Sequence, residues 1–154
     1  MRNLLMLLTA ASALIATPAV ADETYVDATG GVIWNREGSN AVAAFTLGHD
    51  VELNDRFFVG VEGIAEKVLE KDTRVVWGIG GRVGAYVLPG SKLIAGVNWQ
   101  SKDCRECASA VGLSTSWEQD LSEKIYGKVE YKHLLIGNGE RDSDVVAVGL
   151  GFKF

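Results

Sequence analysis

Long hydrophobic runs are missing from this sequence, as is any surplus of basic residues, and cysteine, proline and histidine occur only twice each. Each shortage closes a class of function. One extended apolar run exists, Leu4 to Ala16, thirteen residues long. A spanning helix needs roughly 20 such residues, so this run cannot be one. It follows Met1-Arg2-Asn3 and precedes Thr17-Pro18-Ala19-Val20-Ala21. A basic start, a short apolar core and an A-x-A site are the parts of a cleavable secretory signal peptide. The expected organisation is therefore a signal peptide over 1–21 and one domain over 22–154. Arg2 is the only charged residue of the first segment, so 22–154 keeps 14 basic and 20 acidic side chains, a net charge of −6. That balance excludes nucleic acid as a partner, which selects basic surfaces.

The two cysteines form Cys104-Arg105-Glu106-Cys107. Redox and metal motifs share this spacing, but a thioredoxin-type site needs a βαβ context and a zinc site about four ligands. Neither is present in the sequence. In an exported chain the expectation is a disulfide between Cys104 and Cys107 that staples a loop. No cofactor or metal is expected.

What the chain does have is alternation, the mark of a strand with two unlike faces. The last segment is clearest: Val146, Val148, Leu150, Phe152 and Phe154 share one face, and Val145, Ala147, Gly149, Gly151 and Lys153 the other. The same split recurs in seven upstream segments. Ile125, Gly127, Val129 and Tyr131 oppose Tyr126, Lys128, Glu130 and Lys132. Trp77, Ile79, Val83, Ala85 and Val87 oppose Gly78, Gly80, Arg82, Gly84 and Tyr86. The connections alternate in character. Polar or charged loops are expected at 35–40, 67–73, 102–107 and 136–143, and tight turns at 54–55, 89–90 and 121–123. Pro89 lies in a turn, where its missing N–H breaks no ladder. The pattern predicts an all-β fold, an eight-stranded antiparallel up-and-down transmembrane β-barrel. Such barrels place short turns at the periplasmic end and longer loops outside.

The orientation of the faces follows from charge. Asp27, Asp50, Glu52, Glu62, Arg82, Glu118, Lys128, Glu130, Lys132 and Lys153 fall on the small-residue register. A lipid-facing Arg or Lys costs roughly 2–4 kcal/mol near the midplane, whereas a lumen lets such groups pair, as buried charge requires. The expected lumen network is Glu62, Arg82, Lys128, Glu130 and Lys132, with Glu62 and Arg82 at similar heights on adjacent strands. Eight strands leave a lumen filled by side chains, and open channels appear at about 16. Trp34, Trp77 and Trp99 are expected near the external strand ends, with Phe57, Trp117, Phe152 and Phe154 near the periplasmic ends, as two girdles. His49 is expected at the periplasmic interface. The alternative is the inverted register: a soluble periplasmic, lipocalin-like carrier with its charges outside and an apolar, ligand-binding interior.

The stretch Val145 to Phe154 resembles the final strand of Gram-negative outer-membrane proteins, which ends on an aromatic preceded by alternating apolar residues. Here those positions are Val148, Leu150, Phe152 and Phe154. With the signal peptide and eight segments, the chain resembles the opacity-protein and OmpA-like group of small barrels. The resemblance implies an outer-membrane location, outer-membrane lipid around the wall, and recognition of the final strand by the barrel-assembly machinery. It also implies a structural or surface-interaction role, with loop partners the sequence does not name. The stretch Tyr131-Lys132-His133-Leu134-Leu135 is similar to that of lipid A deacylases, which place a Ser two residues after a His. Here that position is Leu135. A base without a nucleophile is not a site, so no enzyme is expected.

Overall fold

The computed structural model describes residues 22–71, 73–102, 107–137 and 141–154. The signal segment 1–21 and Cys104 therefore lie outside the described residues. Eight antiparallel strands close into one barrel: β1 (Asp22–Trp34), β2 (Ser39–Asn54), β3 (Phe57–Val68), β4 (Val76–Leu88), β5 (Ser91–Gln100), β6 (Ala110–Asp120), β7 (Ile125–Ile136) and β8 (Ser143–Lys153). Each strand pairs with its neighbours in sequence, and β1 closes on β8. No helix among the described residues is long and apolar enough to cross a membrane.

The ladder registers fix the shape. Starting at Thr24 and stepping from partner to partner, the path runs through His49, Val61, Gly81, Val97, Leu113, His133 and Asp144. It returns to β1 at Trp34, ten residues beyond its start. That stagger tilts the strands by about 35–45° from the barrel axis. Strands of 10 to 16 residues are then long enough for a spanning strand, which needs about 9–11.

Local chemistry sets the ends. Asn54 Oδ1 accepts the backbone N–H groups of Arg56 and Phe57 at 2.9 and 3.0 Å, closing the β2–β3 turn. Ser122 Oγ accepts the Ile125 N–H at 3.1 Å in the β6–β7 turn. Gly90 has φ +70°, the left-handed position that follows a proline in a type II turn. At the other end, Asn35 Oδ1 accepts the N–H groups of Glu37 and Gly38.

Several strands outrun their polarity pattern. β1 begins at Asp22, because the closing ladders pair Asp22 with Val51 and Tyr25 with Lys153. β2 begins at Ser39 although Ser39 and Asn40 are polar, because they pair with Trp34 and Ile33. β7 continues through Leu134-Leu135-Ile136, where alternation fails.

The faces are as the charges require. Val61, Ile79, Val97, Val129, Val148 and Leu150 are exposed on the outer wall. Asp27, Asp50, Arg82, Glu118, Lys128 and Lys132 are buried inside. The inverted, lipocalin-like arrangement is not the one adopted. Trp34, Trp77 and Trp99 stand on the outer wall at the loop ends of their strands, with Phe57, Trp117 and Phe152 toward the turn ends. Phe45 lies on the same wall between the two groups.

Candidate functional site

The lumen toward the turn end is packed with charge and aromatic rings. At its centre Arg82 (β4) donates from Nε and NH2 to the two oxygens of Asp50 (β2) at 2.9 and 2.5 Å. Its NH1 donates to Glu118 (β6) at 2.9 Å. The guanidinium lies 3.8 Å above the Tyr25 ring centroid. A planar, always-charged fork is suited to two carboxylates and a ring at once. Below it, Lys92 donates to Glu23 at 2.5 Å and faces the rings of Phe58 and Tyr86. Lys153 joins Asp120 at 2.6 Å and Glu23 at 3.5 Å.

A second set climbs the barrel along β7. Lys128 pairs with Asp27 at 3.3 Å and with Glu130 at 2.9 Å. Lys132 reaches Glu130 at 4.0 Å and pairs closely with Glu66. Asp27, Lys128, Glu130, Lys132 and Glu66 thus alternate in sign. Burial of this many charges is tolerable only because each has an opposite partner.

All five expected network residues face the lumen, and Lys128, Glu130 and Lys132 come together. Glu62 and Arg82 do not pair: Arg82 takes Asp50 and Glu118, while Glu62 accepts a hydrogen bond from the Tyr25 hydroxyl at 3.2 Å. Lys92, Glu23, Glu66 and Asp120 belong to the network without having been singled out in the sequence. Their only signal there was strand parity.

Glycines on the lumen register make room for the rings. Tyr25 lies across from Gly48, Phe58 from Gly84, and Tyr126 from Gly151. A Cβ at Gly48, Gly84 or Gly151 would meet the facing ring at 2.2, 2.2 or 2.1 Å. Each ring therefore lies flat over its cross-strand glycine, an arrangement that needs a residue without a side chain.

Toward the loop end the lumen changes character. Val42, Leu134, Val145 and Ala147 form an apolar cluster inside the barrel, with Ile33, Val68 and Ile136 packed against it. Above it the lumen opens into a cup of about 710 Å³. The cup has buried Glu66, Gln100 and Ser143 among its lining. No group of three or more His, Cys, Asp or Glu among the described residues is placed to hold a metal.

His133 faces outward. Its Nδ1 lies 2.8 Å from Asp144, which also accepts from the Tyr131 hydroxyl at 2.7 Å. Leu135 shares that outward face. His49 is also outward, bonded to Thr24 at 2.9 Å near the start of β1. Val148, Leu150, Phe152 and Phe154 form one outward row, with the two Phe rings 6.1 Å apart.

No family model matches the chain, and no curated protein matches it. Solved structures do. The chain is similar to Neisserial surface protein A, with 14% identity over 86% of this chain and 97% of that one, TM-score 0.55. The N-terminal β-barrel domain of Pseudomonas aeruginosa OprF is 14% identical over 86% and 97%, TM-score 0.62. Ail, the attachment invasion locus protein of Yersinia pestis, is 9% identical over 86% and 98%, TM-score 0.56. At these identities the likeness is one of fold: the chain has the architecture of a small outer-membrane barrel.

Proposed function

We propose that this protein is an exported outer-membrane barrel of a Gram-negative bacterium, acting as a structural or surface-interaction element and not as a general porin. The observation that carries this reading is the pairing of an apolar outer wall with a lumen closed by Arg82, Asp50 and Glu118. A wall bearing Val61, Ile79 and Val97 suits hydrocarbon, and outer-membrane lipid is its partner. Filled lumens are what eight strands allow, so solutes have no wide path. The outward row Val148, Leu150, Phe152 and Phe154 is the signal for the barrel-assembly machinery. Interaction falls to the connections at the loop end, over 35–38, 69–75, 101–109 and 137–142. A disulfide between Cys104 and Cys107 staples one of them. The signal peptide ends at Ala21. Two of the similar structures carry surface or attachment roles in their names, which supports the same role for this fold.

The test is fractionation combined with proteolysis of intact cells. The protein should sediment with the outer membrane, and external protease should cut only within those four connections. Recovery from the soluble periplasm would overturn the reading.

A further inference from the structure

The loop-end cup has features that neither a structural wall nor a closed lumen requires. Its volume, about 710 Å³, falls within the roughly 300–1,000 Å³ of small-molecule sites. Part of its wall is apolar: Val76, Leu134 and Ile136 line it from two strands, beside polar residues of the rim such as Asn40 and Thr73. An apolar wall facing an open cup gains nothing from water. Its depth is polar, with Glu66, Gln100 and Ser143 buried on β3, β5 and β8. Convergence of a few polar groups on an apolar pocket is the usual form of a ligand site.

The decisive group is Gln100. The residue is 3% exposed, and its Nε2 has no hydrogen-bond partner. An unsatisfied buried amide costs about 1–3 kcal/mol, so the position holds a donor in want of an acceptor. The charges around the cup are spoken for. Glu66 is paired with Lys132, Glu37 with Arg141 at 3.5 Å, and Glu70 accepts from Asn40 at 2.9 Å. An anion finds no uncommitted cation there among the described residues, and two of the three carboxylates already hold a cation, while the third, Glu70, accepts from the Asn40 amide.

We infer that the cup is a binding site for a small uncharged organic molecule with an apolar body and an accepting oxygen, held by the Gln100 amide and the Leu134–Val76 wall. This inference goes beyond the proposed surface role and does not depend on where the barrel resides.

The test uses the mature chain folded in detergent micelles and acetophenone as probe, with benzoate and benzylamine as charged counterparts. Nuclear magnetic resonance reads the Gln100 side-chain NH2 group and the Leu134 and Val76 methyls. Acetophenone should shift all three saturably. Binding should weaken at least about fivefold in Gln100→Leu, which keeps the bulk and removes the donor, a loss equivalent to about 1 kcal/mol. Benzoate and benzylamine should bind at least tenfold more weakly. Partition into the micelle is separated by the outward Val97 and Ile79 methyls, which should shift only linearly. If Gln100→Leu fails to fold, as judged by gel migration, Ile136→Trp narrows the cup without touching the amide and should also weaken binding. Linear shifts everywhere, equal binding of the charged probes, or full binding by either folded variant would overturn the inference.

Discussion

Arg82 and Asp50 meet inside the barrel in a two-pronged ion pair, Nε to Oδ1 at 2.9 Å and NH2 to Oδ2 at 2.5 Å, each side chain only 2% exposed. They lie on β4 and β2, so the pair reaches past β3 to join strands that share no ladder. With Glu118 on β6, Arg82 ties three strands across the lumen.

Arg82→Ala should therefore destabilise the barrel by about 3–5 kcal/mol, because it leaves two buried carboxylates unpaired. Urea unfolding of the two proteins in vesicles measures the difference. A change below about 1 kcal/mol would mean that water reaches Asp50 and Glu118 and that the lumen is not closed there.

The glycine–ring pairs give a second test. Gly84→Ala places a methyl where the Phe58 ring lies and should cost about 1–3 kcal/mol, the usual range for overpacking. Adding Phe58→Leu should recover part of that loss, since the ring is what the methyl strikes. Additive losses in a double-mutant cycle would show that the two positions do not touch.

The outer wall separates lipid from water as its solvent. Val97 is on that wall, midway along the register path from Thr24 to Trp34. Val97→Arg should cost about 2–4 kcal/mol in a bilayer. On a water-exposed surface the same change stays within about 0.5 kcal/mol. Folding free energies in vesicles decide between the two.

The loop cysteines make a smaller prediction. Alkylation under denaturing conditions should add no mass to protein from an oxidising compartment, and should add two labels after reduction. A Cys104→Ser, Cys107→Ser variant should lose at most about 2 kcal/mol, because the closed loop is so short. Labelling without reduction would exclude the disulfide.

Much of the barrel was legible because parity alone assigns each side chain to a face. Arg82, Lys128 and Val148 could be placed from their neighbours two residues away. What parity cannot carry is distance across the lumen. The ladders set Asp50 and Arg82 on either side of Gly60, whose missing side chain leaves the space that the Asp50 carboxylate fills, whereas counting along neighbours pointed to Glu62. Tyr25 takes Glu62 instead, and it lies over Gly48 only because β1 begins at Asp22, earlier than its alternation suggests. The apolar loop end was missed for another reason. Val42, Leu134 and Val145 sit on the lumen register but read as ordinary strand residues, so an apolar cluster inside a barrel with an apolar exterior leaves no contrast in the sequence.

The most direct test is to dilute the urea-unfolded mature chain into buffer with and without lipid vesicles, then run each sample on a gel unboiled and boiled. A compact, fast-migrating, heat-sensitive band that forms only with vesicles is the expected result: an apolar outer wall needs lipid, and a closed ion-paired lumen resists detergent. A chain that folds in buffer alone and migrates identically before and after boiling would contradict the membrane barrel.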